Sequence, residues 1–578
     1  MKSKIIIYAL LSTVLFLHSC EKLDYIPADQ MSSSTFWKTE AHAKQAAVGL
    51  YAAMKQNWCF GMEFTFDMCT DLADGTSPWS DVSRGTSFAS SSSGVQNHWQ
   101  YLYELVQRSN TVIRNVATMP ISQTTIDQVT GEAKFLRAMA YFRMLNAWRG
   151  VPYYDETLDI NKEFANLSTP RSSAEEIRQH IIADLTEAIS KLPVNWTTDY
   201  GRATKGAAYA LRGKVYLYNK EWAKATADFE EIVYNKSNDY GYALHPDYAD
   251  LFRIYNGKRS KEMIFAIQSI DGNTAGYSLD IVSYFGNKAT MRLIASNSIV
   301  PSTRLVDMYQ NPDGSSFNWD QVFPGFNAGN SQFRRNLMNV AIDQGSTKVT
   351  NTLNADTVKI LDAYRKRDPR LNWNIITPYS HYLGTDAGST PRDKQFVLAD
   401  VSKGGSPMEA LAFMRNSEGW NSYFWRKWIP TGNLNGYWGE YNRTPYEFPL
   451  IRLGDVLLML AEANTEQGQV EKAVTEVNKV RSRVKMPGLN SGAAWLAVNG
   501  KTEMTQRIRD ERAFELVGEG QRYWDIRRWG ILQSTVKNVT DIFGDLMYER
   551  QYQSRHEIWP IPFVEMDRNK NLTQNIDW

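Results

Sequence analysis

Side chains suited to binding a small hydroxylated ligand are concentrated in the polar loop from Asp67 to Arg84. This loop carries four carboxylates and one tryptophan among glycines and serines: Asp67, Asp71, Asp74, Trp79 and Asp81. A flat indole can stack on the apolar C–H face of a sugar ring, and carboxylates accept hydrogen bonds from the hydroxyl groups at its rim. We therefore predict that Asp67, Asp71 and Trp79 contact a ligand. The alternative for Trp79 is an anchor that fixes the loop.

The sequence contains none of the common catalytic motifs. Its seven histidines form no H-E-x-x-H pair, and no G-x-S-x-G segment or C-x-x-C spacing occurs. A dense charge cluster near the C-terminus is predicted to be an ion-pair network between helix ends, comprising Glu511, Arg512, Glu515, Arg522, Asp525 and Arg528. We therefore expect a binding protein without a cofactor, and not an enzyme. The sequence leaves open whether a structural calcium is bound.

The N-terminus predicts export and lipid attachment. Lys2 and Lys4 precede an apolar run over residues 5–17, which is shorter than the roughly 20 residues that span a bilayer. A small residue, Ser19, stands directly before Cys20, as in a bacterial lipobox, so Cys20 is predicted to carry the lipid. The alternative is an ordinary signal peptide. The 64 basic residues and 63 acidic residues nearly balance, so no binding of nucleic acid is expected.

Two further cysteines, Cys59 and Cys69, lie in an aromatic-rich stretch. In an oxidising compartment they would form a disulfide, and otherwise they would be two buried thiols. The sequence favours neither.

Apolar periodicity predicts a mostly α-helical protein. Helices are expected from Thr39 to Met54 and over residues 95–116, 132–148, 174–192, 202–218 and 221–234. Gly213, Tyr216, Ala225, Phe229 and Ile232 have the offsets of a tetratricopeptide helix pair. Residues 461–480 repeat these offsets, and residues 132–192 are predicted to form another pair. Repeats so far apart in the chain must stack in space to bury a shared core.

Between these repeats the composition changes. From residue 239 to 448 the chain is rich in Gly, Asn, Pro, Ser and Tyr, with short β-like and helical pieces at 263–267 and 301–309. Long loop regions of this kind are usually functional. We therefore divide the chain into a signal peptide (1–19), a lipidated tether (20–35), a helical-repeat region with inserted loops (36–238), a loop-rich ligand-binding region (239–448) and a C-terminal helical region (449–578).

Several segments, taken in order behind the lipobox, resemble the SusD/RagB glycan-binding lipoproteins of Bacteroidetes. The resemblance covers essentially the whole mature chain and rests on residues 99–110, 132–138 (EAKFLRA), 148–152 (WRGVP), 201–207 (GRATKGA), 368–370 (DPR), 452–456 (RLGDV), 509–516 (RDERAFEL), 519–530 (EGQRYWDIRRWG) and 559–562 (WPIP).

The resemblance implies a fold, a location and a partner. The fold would be a single compact unit, a tetratricopeptide-like helical platform with an irregular, loop-rich ligand-binding half. The protein would sit on the outer face of the outer membrane and bind a SusC-like TonB-dependent transporter, to which it passes an oligosaccharide. Oligopeptide cargo and a surface-anchored glycoside hydrolase are the alternatives.

Glycan sites in this family are built from loops in broadly the same regions as two further aromatic segments of this chain. These are residues 284–287, with Tyr284, and residues 317–320, with Trp319. Tyr284 and Trp319 are therefore predicted to contact glycan. A group of four tryptophans, Trp420, Trp425, Trp428 and Trp438, is expected to be mostly buried or to touch the transporter.

Overall fold

The computed structural model describes residues 36–578 except 160–166, 236, 238, 254–258, 270–278, 287–296, 343–348, 353–355, 386–390, 399–420 and 431–444. The predicted signal peptide, tether and lipid-bearing Cys20 lie outside these residues. Among the helices of the described part, none is long and apolar enough to cross a membrane.

Six long helices and the short α2 form the N-terminal part of the described chain, and the predicted helices are confirmed to within a few residues at most ends. Their bounds are α1 Glu40–Met54, α2 Ser80–Arg84, α3 Ser93–Val116, α4 Gln123–Trp148, α5 Ala174–Lys191, α6 Lys205–Tyr218 and α7 Trp222–Tyr234. Helix α4 begins nine residues before the predicted Glu132, because Ser122 caps it and its side chain accepts the backbone N–H of Thr125.

The remaining helices are shorter or lie towards the C-terminus. They are α8 Tyr248–Leu251, α9 Ile281–Phe285, α10 Thr303–Met308, α11 Ser331–Met338, α12 Thr357–Arg365, α13 Pro369–Asn374, α14 Leu453–Glu466, α15 Val470–Arg483, α16 Lys501–Leu516, α17 Gln521–Arg528, α18 Leu532–Thr535 and α19 Phe563–Arg568.

The helix pairs stack as the repeat spacing predicts. Helices α4 and α5, α6 and α7, and α14 and α15 pack as pairs, and α7 also packs on α14 from much later in the chain. Gly213 makes the α6–α7 contact close, because a Cβ there would lie 2.6 Å from Cε1 of Phe229. A shared core therefore joins segments that are far apart in sequence.

Short antiparallel strand pairs occur mainly in the loop-rich half and link its segments to one another and to the rest of the chain. The strands are β1 Ala73–Gly75, β2 Met263–Ile267, β3 Ile299–Pro301, β4 Val340–Ile342, β5 Val349–Thr352, β6 Ile375–Ile376, β7 His381–Thr385, β8 Pro391–Gln395, β9 Phe424–Trp425, β10 Phe448–Arg452, β11 Val539–Thr540 and β12 Leu546–Tyr548. The pairs are β1–β3, β2–β10, β4–β5, β6–β9, β7–β8 and β11–β12. Pairing of β2 with β10 brings the two ends of the loop-rich region together beside α6 and α14.

The predicted ion-pair network of the C-terminal region is confirmed. Arg512 bonds to Asp525 at 2.7 Å and to Asp455 at 2.8 Å, and Arg528 bonds to Glu462 at 2.5 Å. These side chains are buried, so the charges stabilise contacts between helices and do not face a cleft.

Candidate functional site

The structure places Trp79 in the core. Its side chain is 1 % exposed, its ring stacks on Phe66 with 4.8 Å between centroids, and its Nε1 donates to Thr65 Oγ1 at 2.9 Å. Gly94 leaves room for the ring, since a Cβ there would lie 2.8 Å from it. The expectation of an exposed platform is therefore corrected, and Trp79 fills the anchoring role that was the alternative.

Asp67 is also buried. Its Oδ2 accepts the backbone N–H of Gly518 at 2.5 Å, and burial raises the pKa of its carboxyl to about 7. Oδ1 is enclosed and has no hydrogen-bond partner in the described part of the chain. Asp67 therefore fixes the turn that carries Gly518 and has no open face for a ligand, contrary to the prediction.

Asp71 is buried and forms ion pairs with two arginines. Arg522 approaches it with Nε on Oδ1 and Nη2 on Oδ2, both at 3.0 Å, and Arg304 Nε lies 3.1 Å from Oδ2. These ion pairs occupy both oxygens, so the predicted direct contact with ligand is corrected to a supporting role. Through Arg304, Asp71 ties helix α10 to the N-terminal region.

Tyr284 lies on α9 and is half-buried. Its ring centroid is 5.9 Å from that of Phe64, and burial raises the pKa of its hydroxyl. The described residues beside it end at Gly286, and Asn287 of the same predicted segment lies outside them. The structure does not bring Tyr284 together with Asp67, Asp71 or Trp79 into one open site.

Trp319 lies at a small polar pocket of about 130 Å³. Its ring stacks on Phe326 at 4.9 Å and meets Tyr364 edge-on at 5.3 Å, and its Nε1 donates to Asp307 Oδ1 at 2.9 Å. Only 5 % of Trp319 is exposed, so it offers the pocket an edge and not a free face. The remaining lining comes from Thr303, Asp307, Asn327, Arg334, Met338, Tyr423, Thr540, Asp541 and Ile542.

The pocket is positioned by the β1–β3 pair and by two caps. Ser302 follows β3, donates its hydroxyl to the Asp71 carbonyl at 2.6 Å and caps α10, which carries Thr303 and Asp307. Asn318 caps the turn of Trp319, and Asp320 Oδ1 accepts the backbone N–H of Asn327 at 2.9 Å. The loop is therefore fixed by its own polar side chains before any ligand binds.

Asp307 is the open acceptor of the pocket. The carboxylate is reached by solvent, yet protein surrounds it, and this desolvation raises its pKa. Oδ1 is bonded to Trp319, whereas no described residue donates to Oδ2. Oδ2 is thus available to a hydroxyl group of a ligand.

The cation of the pocket, Arg334, is already bonded to the protein. Its three nitrogens donate to the carbonyls of Phe326 and Asn327 at 3.2 Å and of Phe543 at 3.4 Å. Asp541 is buried, and its Oδ1 accepts two backbone N–H groups, from Phe543 and Asp545. The lining groups therefore include an open acceptor carboxylate and a guanidinium that has three of its five N–H groups bonded to the protein.

A larger cavity of about 720 Å³ lies between α3 and α19, and its character differs. Its polar groups are largely bonded within the protein: the Tyr103 hydroxyl to the Pro152 carbonyl at 2.7 Å, Asn110 Nδ2 to the Tyr154 carbonyl at 3.0 Å and Arg114 Nε to the Glu156 carbonyl at 2.8 Å. Its lining is largely apolar and includes Trp99 and Leu572.

Sequence reasoning missed Asp307, Asn327, Thr540 and Asp541. Asp307 falls within the predicted short helix, but no pattern links it to Trp319. Thr540 and Asp541 come from β11 and the residue after it, far along the chain, and nothing local to them indicates a pocket.

Cys59 and Cys69 are free and buried, which decides between the two alternatives. Burial raises the pKa of both thiols above the usual range, so they are unreactive core residues. Trp425 and Trp428 are buried as expected, and Trp420 and Trp438 lie outside the described residues.

The fold and pocket define a class: a helical-repeat protein that presents a preformed, loop-built polar pocket. Residues 261–578 match the model of the SusD family, and residues 23–217 match a second model described as "Starch-binding associating with outer membrane". The chain belongs to the SusD family.

Curated relatives and solved structures agree with this assignment. A SusD-like protein of Formosa agariphila is 25 % identical, with 99 % of this chain and 98 % of that protein covered. The starch-binding protein SusD of Bacteroides thetaiotaomicron is 24 % identical over 88 % of this chain and 84 % of its own. A crystal structure of a SusD-like protein from Bacteroides fragilis has a TM-score of 0.74 at 24 % identity, covering 96 % of this chain and 100 % of that chain.

Proposed function

We propose that this protein binds an oligosaccharide at the outer surface of the outer membrane and passes it to a SusC-like TonB-dependent transporter without cleaving it. The observation that carries the proposal is the Trp319 pocket, where the edges of buried aromatic side chains lie beside the open carboxylate of Asp307. Sugar recognition needs both features, an apolar surface for C–H groups and directional acceptors for hydroxyls. The family models and the starch-binding relative support a glycan as the ligand.

The contact set differs from the one the sequence predicted. Asp307, Asn327 and Thr540 supply the polar wall, and Trp319 adds the edge of its ring. Tyr284 stays a predicted contact.

Calorimetric titration against a panel of polysaccharides tests the proposal. The wild type is expected to bind at least one glycan, and Trp319→Phe is expected to weaken that binding, because it removes the Nε1 donor that holds Asp307. Asp362→Asn is the matched control, because Asp362 pairs with Arg365 and Lys366 on its own helix and does not line the pocket. A wild type that binds no glycan would contradict the proposal.

A glycoside hydrolase is the second candidate, because two carboxylates, Asp307 and Asp541, line the same pocket. A glycosidase needs both carboxyl groups to reach the scissile bond. Asp541 is buried and bonded to two backbone N–H groups, which favours a structural role. Chromatography of glycans incubated with the purified protein separates the candidates, since shorter products that vanish in Asp541→Asn would favour the hydrolase.

The proposal of surface attachment depends on the predicted lipobox, and the proposal of a transporter partner depends on the family. The expected result for Cys20→Ser is loss of the protein from the membrane fraction and its recovery as a soluble form. Wild-type protein that stays soluble after detergent phase partitioning would contradict lipid anchoring. Co-purification of the transporter with tagged wild-type protein tests the partner.

A further inference from the structure

We infer that the Trp319 pocket selects an electrically neutral sugar and rejects uronic acid and sulfated residues. The inference rests on the proposed glycan-binding function and concerns the same pocket. Its basis is the balance between open acceptors and bound cations around Asp307.

The open polar groups are mainly acceptors. Asp307 Oδ2 has no donor among the described residues. Asn327 Nδ2 already donates to Asn318 at 2.8 Å and to Asp320 at 3.1 Å. Thr303 and Thr540 add hydroxyl groups, which both donate and accept. Neutral sugar hydroxyls are donors that match Oδ2, whereas a ligand carboxylate or sulfate has no proton to give it.

The nearby cations are engaged with the protein itself. Arg334 donates to three backbone carbonyls, and Arg335 pairs with Asp545 at 2.5 Å. Arg367 is buried, donates to the Val306 carbonyl at 3.0 Å and stacks on Phe317 with 3.8 Å to the ring centroid. Nε and Nη2 of Arg367 have no hydrogen-bond partner among the described residues, but neither Arg367 nor Arg335 lines the pocket. Arg334, which does line it, has three of its five N–H groups on backbone carbonyls, so little of its donor fork is left for an anionic sugar.

The second carboxylate adds to the repulsion. Asp541 lines the pocket, and its nearest cation, Arg335 Nη2, lies 3.9 Å from Oδ2 and is shared with Asp545. An anionic sugar entering the pocket would meet two carboxylates and one guanidinium, that of Arg334, so the lining has an excess of negative charge. In a partly desolvated site this excess repels an anion more strongly than it would in water.

The test compares neutral and acidic forms of one glycan. A printed array of neutral, uronate-containing and sulfated polysaccharides first identifies the best binder. That glycan, and its counterpart oxidised at C6 to the uronate, are then titrated into the wild type, Asp307→Asn and the control Asp362→Asn. We expect the oxidised form to bind the wild type at least about tenfold more weakly, because it loses a hydroxyl donor and gains a repelled charge.

The Asp307→Asn variant provides a second measurement of the preference for a neutral glycan. Asp307→Asn keeps an acceptor for Trp319 Nε1 but removes the charge, so binding of the neutral glycan should weaken about tenfold and the preference over the oxidised form should shrink. Neutral binding should also change little with salt, since no ligand charge is screened. Unchanged preference in Asp307→Asn would overturn the inference.

The outcomes separate this inference from the proposed function. If the best binder is a uronate or sulfated glycan, the inference is overturned and the proposed function stands. If nothing on the array binds, the proposed function fails and the inference falls with it.

Discussion

At the scale of single residues, Trp79 is a core residue whose loss should affect folding and not binding. Its ring is packed between Phe66, Trp58 and Trp559 and is bonded to Thr65. Trp79→Ala should therefore lower the free energy of unfolding by about 3–5 kcal/mol. Urea denaturation measures this loss, and glycan affinity of the folded fraction should be unchanged. Lost binding with full stability would show that the ring contacts ligand after all.

Asp67 should make stability fall as pH rises. Its pKa is raised from 3.8 to about 7 by burial, so the folded state keeps a proton that the unfolded chain releases. By linkage, its contribution to the free energy of unfolding is fully present below about pH 4 and is lost as pH rises towards 7. Asp67→Asn cannot titrate, so its stability should decline less over this range, as denaturant titrations at several pH values would show. Parallel curves for variant and wild type would contradict this role.

The same residues show which features of the candidate site could be predicted from the sequence and which could not. The types of Asp67 and Trp79 suited a binding site, but their burial depends on partners such as Gly518 and Trp559, which are more than 400 positions away. Trp319 was predicted because its aromatic segment lies in a region where the family builds glycan sites, and the structure places it at a pocket. Its partner Asp307 could not be found, because a helix turn and a loop had to be brought together in three dimensions.

At the scale of elements, periodicity and end signals were sufficient for most ends of the long N-terminal helices, but not for the start of α4 or for many of the later helices. Thr39, Ser173 and Thr204 cap α1, α5 and α6 with their side chains, which explains why the predicted and observed starts nearly coincide. The short strands of the loop-rich half were largely beyond prediction. Half of the described pairs join distant segments, as β6 does with β9, so local pattern carries little of their signal.

Two glycines test the packing of these elements in opposite directions. A Cβ at Gly213 would lie 2.6 Å from Phe229, whereas nothing lies within 4 Å of one at Gly49 on α1. Gly213→Ala should therefore destabilise the protein by about 1–3 kcal/mol through overpacking. Gly49→Ala should stabilise it by about 0.5–1 kcal/mol, because alanine loses less backbone entropy in a helix. Thermal denaturation of both variants is the check, and equal effects would refute the close α6–α7 contact.

At the scale of the whole molecule, buried charges join the helical half to the loop-rich half. Arg452 at the end of β10 bonds to Glu262 and Glu515 at 2.7 Å and to Glu519 at 2.8 Å. Glu519 also accepts Lys427 at 2.8 Å, from the loop-rich half, and burial lowers the pKa of that lysine to about 8. The sequence indicated a charge network but could not show that it extends across the two halves.

Removing the central cation should therefore destabilise the protein as a whole. Arg452→Met leaves the three buried carboxylates of Glu262, Glu515 and Glu519 short of a cation, which should lower the free energy of unfolding by about 3–5 kcal/mol. Lys501→Met is the matched control, because its pair with Glu466 is 2.7 Å long but solvent-exposed at the lysine, and such pairs contribute about 0–1 kcal/mol. Circular dichroism and intrinsic tryptophan fluorescence should report one shifted transition in Arg452→Met, because the network spans both halves. Two separate transitions would mean that the halves unfold independently and that these charges do not couple them.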